Sequence, residues 1–570
     1  MKVTLSKSKT AEQVYISKSF RDDNGKSTSR IFKKLGTMAE LLPEHGNDRD
    51  KVIAWAKEQA KMYTEMEKQG NLKVPVELSE THQISMDEQV SFGGGYLFLQ
   101  KICSELGLDD ICRKISDRYS FDFDLSAVLK GLICARILSP SSKLSSYAYL
   151  ETLLEQPQFE LQHVYRALDV LDKESDFIQS SLYRNTAGDR NDSILYYDCT
   201  NFFFEIEEEA GIRKYGKSKE HRPNPIVQMG LFLDGSGIPL AFTVFPGNES
   251  EQPTLIPMEK KILSDFALSR FIICTDAGLA SAANRRFNDR AERSFIVTQS
   301  LKKIKGHLKE WALDPEGWSL GKSEQKYDIS AIDEEKYFDC VFHKERWINE
   351  NGLEQRLIVS FSPKYKNYQR SIRQRQIDRA VKMISKGKSA YTRNPNSPAR
   401  FIEETQMTMD GEIAEKTSRS LDTDKVSEEE RYDGFTAVCT TLEDDISMIL
   451  AVNKRRWEIE ESFRIMKSEF KARPVFLQKD ERIRAHFLTC FLSLLVYRVL
   501  EKKIGEKYTT SELIDTLRSM DFYRIKGLGF LPSYKRTEIT DALHEAFGFR
   551  TDKEIILEKK MKKIIRETKR

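Results

Sequence analysis

The sequence predicts an α/β protein, a mixed sheet with helices on both faces and helical regions at either end. Three observations carry this. Between residues 194 and 298 the periodicity runs strand, strand, strand, helix, strand, helix, strand. The run at 271–275, Phe-Ile-Ile-Cys-Thr, is short and almost wholly apolar, as a strand covered on both faces must be. A further strand pattern at 433–440 precedes two long helical patterns, at about 446–470 and 479–503. At 570 residues the chain exceeds what one ordinary core holds, so three or four domains are expected.

Residues 1–80 open with strand-like pieces at 14–16 and 30–32, followed by a helix from about 48 to 69. Residues 81–190 read as several short helices. The clearest, 123–138, ends at Ser139-Pro140, because proline cannot continue a helix and restricts the residue before it. Ser141-Ser142-Lys143 opens the next. From Ser193 the texture changes. Residues 194–198 form a strand that continues extended through 202–206, and 227–233 form a second. Asp234-Gly-Ser-Gly237 is a tight turn, and 240–245 return as a third strand. Helices are expected at 254–266 and 282–292, with strands at 271–275 and 295–298. Residues 301–432 interrupt this series, highly charged and with weak periodicity. Residues 508–570 read as mostly helical and end in the basic Lys559-Lys-Met-Lys-Lys-Ile-Ile-Arg566. The expected division is an arm at 1–80, a helical region at 81–190, a core in two parts at 191–300 and 433–505, an insertion at 301–432 and a helical C-terminal region at 506–570.

Formal charge is only +3, so net charge by itself selects no partner. Its distribution says more. Residues 361–400 hold eleven Lys and Arg with one Asp, and residues 401–430 hold ten Asp and Glu with three Lys and Arg. Such neighbours are either two solvated faces or a source of strong local fields. Eight Cys stand singly, with no Cys-x-x-Cys pair, which predicts reduced, buried thiols rather than disulfides or zinc. The N-terminus lacks the apolar core of a signal peptide. Residues 483–500 are apolar enough to raise a membrane span, but Arg484, His486 and Arg498 interrupt them, which favours a buried core helix. A cytoplasmic protein with no membrane contact is expected.

Three carboxylates sit in settings unlike a generic surface. Asp198 ends the apolar run Ile194-Leu-Tyr-Tyr, and a charge there costs several kcal/mol if it stays dry and unpaired. Asp276 follows Phe271-Ile-Ile-Cys-Thr and precedes Ala-Gly; an N-cap accounts for it as well as a ligand does. Glu460 lies in Arg455-Arg-Trp-Glu-Ile-Glu460-Glu-Ser-Phe-Arg-Ile-Met-Lys467. On a helix, Glu460, Arg464 and Lys467 fall at roughly 40°, 80° and 20° from Arg456, one face with one acid and three bases. A solvated face with i,i+4 pairs reads the same pattern. Trp457 is read as core packing, with a stacking surface for a displaced base as the alternative. Two strand-end Asp and one helical Glu beside cations are the groups with which a metal-dependent phosphodiester enzyme holds divalent ions and phosphate.

Together these segments resemble bacterial insertion-sequence transposases with a DDE triad on an RNase H-like fold, of the insertion-sequence-four type. Tyr197-Asp198-Cys-Thr200 is similar to the first-Asp motif and Thr275-Asp276-Ala-Gly278 to the second. The segment from Tyr215-Gly-Lys-Ser-Lys-Glu-His-Arg to Phe245-Pro-Gly-Asn248 resembles the family's first hairpin. Arg456-x3-Glu460-x6-Lys467 resembles its Tyr-x2-Arg-x3-Glu-x6-Lys signature, and His486 fits the helix that follows. The signature Tyr falls at Asn453, whose amide can donate to a phosphate but cannot stack. The large gap before Glu460 is similar to the β-rich insertion of many members.

The resemblance implies that Asp198, Asp276 and Glu460 bind two Mg²⁺ ions about 3.5–4 Å apart, with Mn²⁺ as a substitute. It implies cleavage of DNA at an element's ends and strand transfer into target DNA. Arg456, Arg464 and Lys467 would clamp phosphates, and the basic 361–400 segment would lie along double-stranded DNA. Residues 81–190 would be a candidate end-binding region and the C-terminal helices a candidate homodimer contact, in a bacterial cytoplasm near the nucleoid. Competing readings are an RNase H-like nuclease that cuts without joining, a transposase-derived DNA-binding protein that no longer cuts, and a structural protein with charged helices.

Overall fold

Two units share the chain, Met1–Glu88 and Gln89–Arg570. They are seen in a computed structural model that describes residues 1–7, 11–21, 27–68, 76, 80–81, 83–386, 396–407 and 416–570. In the first unit, β1 (Lys2–Lys7), β2 (Glu12–Arg21) and β3 (Ser27–Thr37) form an antiparallel sheet. Two helices follow, α1 (Met38–Glu44) and α2 (Arg49–Lys68). Thr37 starts α1 with a capping box: its hydroxyl accepts the Glu40 N–H, and the Glu40 carboxylate accepts the Thr37 N–H. Val14 and Ile16 point to the helices, where Val14 packs with Met38, Leu41, Val52 and Ala56 in a small core.

The second unit begins with β4 (Ser91–Gly93) and six helices: α3 (Tyr96–Glu105), α4 (Leu108–Ser116), α5 (Leu125–Leu138), α6 (Lys143–Leu150), α7 (Leu161–Lys173) and α8 (Ser175–Thr186). Asp124 caps α5 through the Ala127 N–H, and the chain leaves it at Ser139-Pro140, as the proline demands. Arg136, buried on α5, donates to the carbonyls of Phe470, Lys471 and Ser141. That one guanidinium ties the helical region to the chain leaving the Glu460 helix.

Next come β5 (Ile194–Phe203), β6 (Ile226–Asp234), β7 (Pro239–Pro246), α9 (Leu255–Asp265), β8 (Ile272–Thr275), α10 (Ala282–Asn288) and β9 (Ser294–Thr298). This is the strand and helix order the periodicity predicts. β5, β6 and β7 pair antiparallel, and β5, β8 and β9 pair parallel, so the sheet is mixed. Alternation along β5 feeds two cores. Leu195, Tyr197 and Cys199 face α9, whereas Tyr196, Phe202 and the following Phe204 face the opposite layer of helices.

After α11 (Gly306–Leu313), residues 318–361 add β10 (Trp318–Leu320), β11 (Lys326–Tyr327), β12 (Phe342–Glu350) and β13 (Leu353–Phe361) to the same sheet. β12 alternates buried and exposed residues, which the high charge content hides from a composition-based reading. α12 (Pro363–Ser385) carries much of the basic stretch. The acidic stretch forms β14 (Ile402–Met407), β15 (Lys416–Leu421) and α13 (Thr423–Glu430) beside it. The two stretches partly neutralise each other through Arg373–Glu430 and Arg400–Glu429. β16 (Phe435–Thr440) then enters between β13 and β9 and completes a ten-stranded sheet, ordered β11-β10-β12-β13-β16-β9-β8-β5-β6-β7.

The expected helix at 446–470 is two helices, α14 (Ile446–Lys454) and α15 (Trp457–Ser468), with a turn at Arg455 and Arg456. α16 (Asp480–Lys503) is long and apolar enough to cross a membrane, but 83% of its apolar window is buried inside the fold. It packs on β5 and β7 through Phe487 against Phe202 (centroids 4.9 Å apart) and Phe491 against Phe242 (5.0 Å). The C-terminal residues depart from the mostly helical expectation. α17 (Thr510–Ser519), α18 (Glu538–Phe547) and α19 (Glu558–Glu567) alternate with β17 (Asp521–Ile525), β18 (Gly529–Pro532) and β19 (Ile556–Leu557). These strands pair with β4 in a small sheet, ordered β19-β18-β17-β4. Runs of two to five residues are too short to show periodicity, and their pairing with β4 is a long-range effect. All eight Cys are free thiols, and only Cys340 is not fully buried.

Candidate active site

β5 and β8 run parallel, with Tyr196 opposite Cys274 as their last pair. Asp198 and Asp276 each lie two residues further on, so they meet where β8 ends, at the carboxyl end typical of ligand sites in open sheets. Adjacent strands are about 4.8 Å apart. Asp198 shares its face with Tyr196, whose hydroxyl donates to the Val452 carbonyl of α14 at 3.1 Å. That is the side on which α14 and α15 lie.

Burial pushes the Asp198 carboxyl up to about 6. The Lys219 ammonium opposes this, the neighbouring Asp276 charge adds to it, and the Cys199 N–H (2.7 Å to Oδ1) and Arg456 pull it down. Asp276 does act as an N-cap: its Oδ1 accepts the Gly278 and Leu279 N–H groups at 2.9 and 3.1 Å. The N-cap explanation and the strand-end explanation are thus both true of this residue. In each Asp the bonds fall on Oδ1, which leaves Oδ2 free of hydrogen bonds with the described residues.

Glu460 is on α15, whose Ile459, Phe463 and Met466 bury its other stripe in the core shared with Tyr196. Its carboxylate is largely exposed and pairs with Arg456 at 3.4 Å. Arg456 is not inside a helix; it precedes α15 with helical dihedrals, which keeps the i,i+4 relation to Glu460. Because Arg456 also lowers the Asp198 pKa, it links Glu460 to Asp198 electrostatically. The three cations expected on one face diverge. Arg464 is taken by Glu461 three residues back, on an exposed side. Lys467 reaches across to β5, donates to Thr200 Oγ1 at 2.7 Å and lies 3.5 Å from Glu220. Burial, and then the Lys219 charge, depress the Lys467 ammonium to about 8.

Sequence reasoning missed Lys219. Asn201 of β5 pins its loop, donating to the Lys217 carbonyl at 3.1 Å and accepting the Lys219 N–H at 3.2 Å. The ammonium then donates to the Cys199 carbonyl and pairs with Glu251 at 2.8 Å. It is the strongest opposing charge on Asp198. Arg473 pairs with Glu220 in the same loop, next to Lys467. The available signal was the density of charge in Tyr215-Gly-Lys-Ser-Lys-Glu-His-Arg222, read only as part of a hairpin.

A family model described as the transposase DDE domain matches residues 198–496, more than half of the chain. The chain belongs to this family. The matched span of the DDE transposase domain starts at Asp198 and takes in Asp276, Glu460 and most of α16. Among solved structures it is similar to the piggyBac transposase in a synaptic complex with hairpin DNA, at 9% identity and a TM-score of 0.33, over 83% of this chain and 84% of that chain. It is also similar to the Mos1 transposase in a paired-end complex with the left transposon end, at 13% identity and a TM-score of 0.13, over 41% of this chain and 64% of that chain. Both scores are low, and the assignment rests on the family match. None of the curated proteins matches the chain.

The structure changes the reading of Trp457 and adds a contact at Asn453 within the DDE transposase domain. Trp457 is 55% exposed, so it does not pack in the core; helical spacing puts it near Arg464, on the side of α15 away from Ile459, Phe463 and Met466. Asn453 accepts from the Thr298 hydroxyl at 3.3 Å, which ties α14 to the end of β9. The donor set fits a divalent cation: two carboxylates repel each other at a strand end, each with an oxygen outside the protein's hydrogen bonds. Asp198, Asp276 and Glu460 do not converge to within 4.8 Å of one another, Glu460 being paired with Arg456. Among the described residues, the one group of three metal-capable side chains whose ligand atoms do lie within 4.8 Å of one another is Asp541, His544 and Asp552. Arg536 and Arg550 already neutralise its acids. The Thr551 N–H donates to His544 Nε2, so the proton of the neutral ring is on Nδ1, the nitrogen that faces Asp552.

Proposed function

We propose that this protein is the transposase of an insertion sequence of the insertion-sequence-four type, which binds the element's ends and catalyses metal-dependent cleavage and transfer of DNA strands. The observation that carries the reading is that Asp198, midway along β5, neighbours Asp276, just past the end of the adjacent β8, inside the span matched by the transposase DDE domain. Asp198, Asp276 and Glu460 would hold Mg²⁺, or Mn²⁺ in its place. When bound, the ions supply Lewis acidity for phosphodiester hydrolysis and transesterification.

The chain's own residues do the rest. Lys219 and Arg456 keep Asp198 ionised although it is half-buried. Lys467, held at Thr200, presents an ammonium beside Asp198 that suits a phosphate oxygen. Arg456 can exchange Glu460 for DNA phosphate as the carboxylate takes up its ligand role. Arg464 and the exposed Arg370, Arg375, Arg379 and Lys382 of α12 would add backbone contacts that carry no sequence information. Double-stranded DNA is the partner, two copies would bring two ends together, and the bacterial cytoplasm is the setting.

The test is strand cleavage of a duplex carrying the element's end. Asp198→Asn, Asp276→Asn and Glu460→Gln each abolish cleavage in Mg²⁺ while end binding persists. Full cleavage by any one of the three removes that residue from the site. Pre-cut ends offered with target DNA separate a transposase, which joins them, from a nuclease, which does not.

A further inference from the structure

Glu220 holds two cations that stand next to Asp198. Its carboxylate lies 3.5 Å from the Lys467 ammonium and also pairs with the Arg473 guanidinium. Among the described residues no other acid forms an ion pair with either cation. The three side chains come from separate segments. Lys467 is on α15, Arg473 follows that helix, and Glu220 is in the loop between β5 and β6. The backbone of this loop is anchored. Asn201 bonds the Lys217 carbonyl and the Lys219 N–H, and the Ser218 hydroxyl accepts the Glu220 and Arg222 N–H groups, each at 3.3 Å. The Glu220 carboxylate itself is tied among the described residues only by its two ion pairs.

The place of this contact matters. Lys467 also donates to Thr200 Oγ1 at 2.7 Å. Thr200 is two residues beyond Asp198 on β5, so it shares that residue's face, roughly 7 Å further along the strand. Arg473 lies 5.4 Å from the centroid of the Phe203 ring, and the exposed Arg222 lies 4.1 Å from the same ring. Cations therefore continue past Asp198 toward the end of β5, and Glu220 neutralises two of these three. A carboxylate and a phosphodiester offer a guanidinium the same thing, one negative charge shared by two oxygens. Partly exposed ion pairs are weak, so exchanging one anion for the other costs little.

We propose that Lys467 and Arg473 form a phosphate subsite beside Asp198, and that Glu220 fills it in the DNA-free protein as an internal anion that a DNA phosphate displaces. This rests on the transposase reading, which supplies DNA as the ligand of the site. It adds Arg473 to the residues that meet the strand, and it makes Glu220 a restraint on binding.

The experiment measures binding of the full-length protein, in EDTA, to a fluorescein-labelled random-sequence 40-base-pair duplex from 50 to 300 mM KCl. Glu220→Gln is expected to tighten binding about fivefold at 100 mM KCl and to steepen the log–log salt slope by roughly 1. Glu220→Ala, with no group left to bridge the two cations, is expected to do the same. Lys467→Ala/Arg473→Ala is expected to weaken binding about tenfold, and in that background Glu220→Gln is expected to change affinity by less than about twofold. Glu208→Gln, exposed ahead of the same loop, is the control and is expected to stay within about twofold of the wild type. Wild-type affinity and slope in both Glu220 variants overturn the proposal, as does wild-type affinity in Lys467→Ala/Arg473→Ala. So does an equal gain in Glu208→Gln, or a gain from Glu220→Gln that survives loss of both cations, since each marks a general field rather than an occupied subsite. In all of these cases duplex binding by the wild type leaves the transposase reading standing. If the wild type does not bind duplex at 50 mM KCl, both fail.

Discussion

Asp198 must be an anion to serve as the proposed metal ligand, yet it is half-buried on a strand beside a second carboxylate. Lys219 resolves this conflict, since its charge stabilises the ionised form that burial and Asp276 disfavour. Lys219→Met therefore raises the Asp198 titration above about 6 in the metal-free protein, read by carboxyl ¹³C NMR; an unchanged midpoint removes Lys219 from this role. Lys467→Ala loses an ammonium that sits beside both Asp198 and Thr200. It should weaken end binding and reduce the salt slope by about 1, and constant affinity across the titration refutes the clamp. At this scale the sequence showed which residues carry charge, but not where they aim. Arg464 shares a helical face with Glu460 on a projected wheel and in the fold turns to Glu461. Trp457 looks like core by composition and is exposed because helical spacing puts it opposite the apolar stripe of α15.

Within elements, buried charge decides stability. Glu259 on α9 is fully buried, and desolvation lifts its carboxyl to about 8 even though Asn288 donates to it at 2.7 Å. Its folded pKa is thus raised above 4.5, so the folded state holds a proton that the unfolded state has released between about pH 4.5 and 8. Stability from this group is present below 4.5 and is lost as pH rises through 8. Glu259→Gln keeps the Asn288 bond and removes the charge. Relative to wild type it should gain on the order of 4 kcal/mol between pH 4 and 9, measured by urea unfolding; a pH-independent difference excludes the carboxyl as the cause. Arg373 of α12 makes a bidentate pair with Asp433 just before β16, both nearly inaccessible. Arg373→Ala strands that carboxylate and should cost about 3–5 kcal/mol, with a loss under 1 kcal/mol, by the same unfolding measurement, contradicting a dry pair.

Over the whole second unit, α16 is the shared element. Its Phe487 and Phe491 meet the sheet, while Arg482 and Arg484 form bidentate pairs with Asp169 and Asp172 of α7. One apolar core runs from Tyr96 through the sheet to Ile564. Phe487→Ala should therefore cost about 3–5 kcal/mol and shift a single calorimetric transition of residues 89–570. A split transition, with the helical region melting apart from the sheet, contradicts a shared core. The partly exposed Arg482–Asp169 pair should matter far less, by about 0.5–1 kcal/mol on Arg482→Ala.

The strand and helix order of 194–298, Asp276 at the end of β8 and the Glu460 helix were legible in the sequence. Each is a local pattern: an apolar run, a period and a charge at its end. Asp198, read as ending its strand, lies midway along β5. Residues 318–361 escaped that reading because their place is decided by pairing with β16, more than seventy residues away for several partners. The C-terminal strands escaped for the same reason, since β17 is defined by β4 at the other end of the unit. The environment of Asp198 was also beyond local reach. Asp276, Lys219 and Arg456 come from three separate segments, and the electrostatics that set its charge exist only once the chain has folded them together.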